Sequence, residues 1–268
     1  MPNVIIRYYE ELNDFLPEDM RKRDIEVPFK DRRSVKDVIE SMGVPHVEVD
    51  IILVNGASVD FSYIVNDNDR ISVFPVFGSL DIPGVTRLTL SPLDDTRFVL
   101  DVHLRKLART MRLLGFDADF EDDRDDDMLA VIAATENRIL LTCDRRLLMR
   151  KIVPRGIIVR SRDPEQQIIE VTGRLRLRNM VNPLTRCVEC NGLIRDADMN
   201  SLEFTLVKND IPEGVISWCT EYFICNSCGR IYWHGSHYDK LKVKVNRILK
   251  SIDSNQKKHK LKDKKLIN

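Results

Sequence analysis

Two cysteine pairs, Cys187-Val188-Glu189-Cys190 and Cys225-Asn226-Ser227-Cys228, stand 34 residues apart in a chain of 268. Each has the spacing of a metal knuckle. Four thiolates gathered from two such pairs suit a closed tetrahedral Zn²⁺ site, whose metal contributes directly to folding. Its last third must therefore fold so that two distant turns face each other. Gly192 and Gly229 follow the knuckles, where tight turns need them. Cys143 and Cys219 lie outside the set and are expected to be small buried residues. Cysteines arranged for metal rather than for disulfides imply a reducing compartment, so a cytoplasmic location is expected.

A second constraint lies upstream. Two short apolar runs end on acids, Phe98-Val99-Leu100-Asp101 and Leu140-Leu141-Thr142-Cys143-Asp144. Between them, residues 117–127 hold eight acids and one arginine, and a helix-period run follows. Asp126 opens that run, with Leu129, Ala130 and Ala133 three, four and seven places on; Asp127 competes with it, through Ala130, Val131 and Ala134. Strand and helix alternate from Phe98 onward, which predicts a parallel sheet with flanking helices and a ligand site beyond the strands' carboxyl ends. Asp101 and Asp144 lie at such ends. Crowded carboxylates repel, and one takes up a proton unless a cation offsets the repulsion. Mg²⁺ or Mn²⁺ prefers such hard oxygen ligands, and two ions ~3.5–4 Å apart hold both oxygens of a phosphodiester displacement. Arg105 and Arg109, one turn apart after Asp101, are candidates to hold substrate phosphates, and Arg112 shares their helix face.

The N-terminal 78 residues read as strand, strand, helix, strand, strand. Ser34 caps the helix, Gly43 stops it, and Asn55-Gly56 marks a tight hairpin. This order resembles the β-grasp (ubiquitin-like) fold, in its small sulfur-carrier branch. That branch acts through a terminal Gly-Gly, whereas here Pro75-Val76-Phe77-Gly78-Ser79 continues into more chain, so an interaction role is expected instead. Residues 79–96, with Pro83, Gly84 and Pro92, read as a linker.

The runs FVLDVHLRKLARTMRLLGFDADF, DDDMLAVIAATENRILLTCDRRLL and IIVRSRDPEQQ resemble the mutator-seven C-terminal RNase family, a branch of the PIN-type nucleases. The resemblance implies that Asp101, Asp126 and Asp144 hold a catalytic Mg²⁺ or Mn²⁺. PIN domains usually add a fourth acid after the third, and here Arg145 and Arg146 follow instead. The same family carries a zinc ribbon after its catalytic part. The run CGRIYWHGSHYDKL resembles its closing motif, in which Tyr232, Trp233 and His237 are candidates to meet RNA bases.

The expected organisation is α/β throughout. A ubiquitin-like β-grasp domain (residues 1–78) and linker (79–96) precede a PIN-type RNase domain (97–180), a four-cysteine zinc ribbon (181–240), and a C-terminal helix and basic tail (241–268). The expected partners are RNA and, through the ubiquitin-like domain, another protein. Net charge is zero, which identifies no partner, and neither a membrane span nor a signal peptide is expected. The expected activity is metal-dependent hydrolysis of RNA; its rival is a non-catalytic RNA-binding adaptor with a degenerate PIN core. Leu241, Val245, Ile248 and Ile252 predict the C-terminal helix, and the basic stretch 255–265 is expected not to fold alone.

Overall fold

A computed structural model describes residues 1–75, Leu88 and 96–266, with side chains to Asn255. Residues 76–79 at the end of the β-grasp part, most of the expected linker and the side chains of the lysine-rich tail lie outside the described residues. In chain order the elements are β1 (Asn3–Tyr8), β2 (Ile25–Pro28), α1 (Val35–Ser41), β3 (Val49–Val54), β4 (Ala57–Val59) and β5 (Arg70–Pro75). Next come β6 (Arg97–Leu100), α2 (Arg105–Leu113), β7 (Asp117–Asp119), α3 (Asp126–Thr135), β8 (Ile139–Thr142), α4 (Arg145–Leu148), β9 (Gly156–Ile158) and α5 (Pro164–Arg174). The last are β10 (Ile194–Asp196), α6 (Leu202–Val207), α7 (Glu213–Ile216), β11 (Tyr222–Cys225), β12 (Ile231–Trp233) and α8 (Ser236–Leu266). These form two compact units: residues 1–103 with 122–159, and residues 104–121 with 160–268.

The first unit holds the N-terminal sheet, ordered β2-β1-β5-β3-β4, with β1 parallel to β5 and the other pairs antiparallel. α1 begins where expected: the Ser34 hydroxyl accepts the Asp37 N–H at 3.1 Å, and the Asp37 carboxylate accepts the Ser34 N–H at 3.1 Å. Its Val35, Val38 and Ile39 are wholly buried. Asn55 and Gly56 both take positive φ (51° and 85°), as the β3–β4 hairpin requires.

β6, β8 and β9 of the same unit run parallel, with Leu100 opposite Leu141 and Thr142 opposite Ile158. All four residues of β8 are buried, the pattern of a strand covered on both faces. One apolar core runs through both sheets, from Val4, Ile6 and Ile39 to Val99, Leu140, Leu148 and Ile158. Polar contacts cross it as well. The buried Glu48 carboxylate accepts the Ile158 N–H at 2.7 Å, and the Arg145 guanidinium donates to the Phe15 carbonyl at 3.1 Å while lying 5.1 Å from the Phe15 ring centroid.

In the second unit, α5 packs against α2 and α8. Asp163 caps α5, with Pro164 in its first turn. The expected stripe of α8 is present, with Val245, Ile248 and Ile252 buried. That helix runs on to Leu266 rather than stopping before the lysines. Elongating a helix already nucleated costs little, and lysine is a good helix former. β10-β11-β12 make an antiparallel sheet, and α6 and α7 lie in the insertion between β10 and β11. Among the described residues no helix is long and apolar enough to cross a membrane.

Candidate functional site

The first unit carries the three acids. Asp101 follows β6, is 5 % exposed, and is held from three directions. Its Oδ1 accepts the His103 N–H at 2.8 Å; its Oδ2 accepts the Cys143 N–H at 3.0 Å and the Thr142 hydroxyl. That hydroxyl in turn accepts the Asp144 N–H at 2.9 Å. Thr142 thus ties the first acid to the backbone of the third across two parallel strands. The work of Thr142 as a bridge depends on β6 and β8 being neighbours, which the local sequence does not show.

Asp144 is exposed and caps α4, with one oxygen accepting the Arg146 N–H at 2.7 Å. Asp126 is exposed at the start of α3, behind the N-cap Asp125, and makes no hydrogen bond among the described residues. Its i+3, i+4 and i+7 neighbours Leu129, Ala130 and Ala133 are buried, whereas Val131, which follows Asp127, is 47 % exposed. Asp127 is paired with Arg150.

The donors suit a hard divalent cation. A carboxylate offers about four lone-pair sites, and three of those on Asp101 are taken. Asp126 and Asp144 keep oxygens facing solvent, where a cation would retain water ligands. The three acids do not gather as closely as the cysteines. Among the described residues, the only group of three or more potential ligand atoms within 4.8 Å of one another is Cys187, Cys190, Cys225 and Cys228. Cys143, expected in the core, is exposed, because the chain leaves the sheet after Thr142.

In the second unit, the sulfurs of Cys187 and Cys228 are 3.8 Å apart and those of Cys190 and Cys225 3.4 Å apart. Sulfurs each ~2.3 Å from a tetrahedral ion would be separated by about 3.8 Å, so the cluster fits Zn²⁺. The two knuckles repeat one turn. The Asn191 N–H reaches the Cys187 carbonyl at 3.0 Å and the Gly229 N–H reaches the Cys225 carbonyl at 3.0 Å, with both donors at φ 70°. Gly192 serves another need than turn freedom: a Cβ there would lie 2.8 Å from the Cys225 sulfur and 2.4 Å from the Ser227 hydroxyl.

Tyr232, a candidate to meet RNA, donates its hydroxyl to the Cys187 sulfur at 2.9 Å. Burial pushes the Cys187 thiol up, but the Tyr232 hydroxyl and the Cys190 and Glu189 N–H groups outweigh it and bring it to about 7. Burial raises Cys190 to about 12. Two of the three arginines of α2 also turn toward this module. Arg112, on the same helix face as Arg105 and Arg109, is 3 % exposed and donates to the carbonyls of Ala118 at 2.8 Å and Glu189 at 2.5 Å. Arg109 pairs with the Glu189 side chain inside the first knuckle, and Arg105 lies 6.0 Å from the Phe120 ring centroid. His237 is exposed. Cys219 is buried, as expected, and its thiol meets the Glu221 carbonyl.

The family model described as the Mut7-C RNAse domain matches residues 96–245, and that described as Mut7-C ubiquitin matches residues 1–81. No curated protein and no solved structure matches the chain. The RNase match spans more than half of the sequence and takes in both the three acids and the four cysteines, so the chain belongs to the Mut7-C RNAse domain family and carries the Mut7-C ubiquitin domain ahead of it.

Proposed function

We propose that the chain is a PIN-type, metal-dependent ribonuclease that hydrolyses RNA phosphodiester bonds at Asp101, Asp126 and Asp144. The observation that carries this reading is the Thr142 bridge. It holds Asp101 beside the end of β8, where Asp144 follows, with both acids at the carboxyl ends of parallel strands. Asp101, Asp126 and Asp144 would hold Mg²⁺ or Mn²⁺. Such an ion, when bound, activates water and stabilises charge on the phosphate. Asp101 is the oriented member of the set, since its donors fix both oxygens. Asp126 and Asp144 are the exposed members, open to solvent and substrate. Arg105, Arg109 and His237 are proposed contacts to RNA. The zinc module is structural, the ubiquitin-like domain offers a surface to a protein partner, and cysteines arranged for metal suit a cytoplasmic setting.

The spacing of the acids, together with Arg145 and Arg146 after Asp144, supports the second reading, a non-catalytic RNA-binding adaptor. Incubation with single-stranded and structured RNA, with Mg²⁺, with Mn²⁺ or with neither, separates the two. Asp126→Asn is the cleanest variant, because that carboxylate makes no hydrogen bond that folding would miss. Outer partners of metal ligands are worth ~10–100-fold, so loss of a ligand is expected to cost more than about 100-fold in cleavage. Cleavage that persists in Asp126→Asn and Asp101→Asn, or none with either metal, rules out the catalytic assignment.

A further inference from the structure

The second unit contains a cleft of about 1140 Å³ beside the zinc module, larger than the ~300–1,000 Å³ typical of a small-molecule site. Both tryptophans of the chain, Trp218 and Trp233, line it. Trp218 is 57 % exposed, an unusual position for so large an apolar ring, and Trp233 is half-buried. They converge at Gly235, where a Cβ would lie 3.2 Å from the Trp233 Nε1 and 3.6 Å from the Trp218 Cη2.

Cations accompany the rings. Arg230 lines the cleft, is exposed, and makes no side-chain hydrogen bond or ion pair among the described residues. The ring of His234 stacks between Phe223 at 5.0 Å and Tyr238 at 4.1 Å, and Lys242 caps Tyr238 at 4.9 Å. Of the acids that line it, Glu189 is paired with Arg109 and Asp210 comes from the α6–α7 insertion, while Glu221 lies 3.4 Å from the His234 ring.

Open aromatic faces beside an uncommitted guanidinium are what unpaired nucleotides require, with bases on the rings and phosphate on the cation. We infer that this cleft is a binding site for single-stranded RNA, in which Trp218 and Trp233 stack on unpaired bases and Arg230 holds the adjoining phosphate. The choice of RNA rests on the ribonuclease reading, but the cleft is lined by none of the three acids and is tested without cleavage.

The chain reports on its own cleft, since every tryptophan lies in it. Wild-type protein, with no divalent metal added, is titrated with a ten-nucleotide single-stranded RNA, with the same sequence as a duplex, and with a proline-rich peptide. Saturable quenching by the single strand is expected, with the duplex at least about tenfold weaker. By anisotropy of labelled RNA, Trp218→Ala is expected to weaken binding about tenfold or more, and Trp218→Phe to recover most of it. Arg230→Ala is expected to lower the slope of log affinity against log salt by about 0.7–0.9. Zinc content near one per chain shows that each variant has kept its fold.

No quenching by RNA, unchanged affinity in Trp218→Ala, or quenching by the peptide alone overturns the inference. Quenching without cleavage upholds the cleft and sinks the nuclease. Metal-dependent cleavage without quenching does the reverse.

Discussion

Individual side chains here are placed by partners far away in sequence. Tyr232 is the clearest case: an aromatic residue after a zinc knuckle reads as a stacking surface, yet its hydroxyl meets Cys187 at 2.9 Å. A donor to a ligand sulfur orients it and offsets its charge. Tyr232→Phe keeps the ring and removes the donor, so the ribbon is expected to fold and zinc affinity to fall by ~10–100-fold. Competition with a chromogenic chelator measures this, and unchanged affinity would show that the hydroxyl only fills space. Arg112 teaches the same lesson. A guanidinium on an amphipathic helix reads as solvated, and only the nearness of the Glu189 and Ala118 carbonyls explains its burial.

At the scale of elements, β9 depends on a residue from the ubiquitin-like part. The buried Glu48 carboxylate receives the Ile158 N–H. Glu48→Ala leaves that donor without its acceptor, which costs about 1–3 kcal/mol and is expected to lower Tm by several degrees. Glu48→Gln keeps an acceptor oxygen and should lose less. Thermal melts followed by circular dichroism decide, and equal melts for Ala and wild type would remove the bond's importance.

Elements with a strong apolar period were legible without a structure. α3 is marked by Leu129, Ala130 and Ala133, β8 by the apolar run before Asp144, and α1 by its Ser34 cap and Gly43 stop. Weaker ones were not. β4 is only Ala57-Ser58-Val59, and α6 leaves Leu202 and Leu206 exposed, so neither has a fully buried residue to mark it. The acids were legible because each closes or opens such an element. The spacing of their oxygens was not, since side-chain rotamers and backbone donors set it.

For the whole molecule, the main finding is that two family domains share one core. Ile39 of the ubiquitin-like part and Leu140 of the nuclease part belong to the same buried cluster. Truncating Ile39 to alanine removes wholly buried methyl groups, at a cost of ~2–5 kcal/mol. Protection of β8 amides against hydrogen exchange is expected to fall together with that of β1 and β5. Loss confined to β1 and β5 would mean that the two sheets open independently.

The chain passes between its units three times, since residues 104–121 belong to one and the residues on either side to the other. That interleaving matters on the ribosome. The β-grasp strands are complete by Pro75, but the strand that receives Glu48 is not made until Ile158. At ~5–20 residues per second, the growing chain waits roughly 4–17 s with part of its first core uncovered. Nascent polypeptide of this protein therefore offers chaperones an apolar surface that the finished molecule hides.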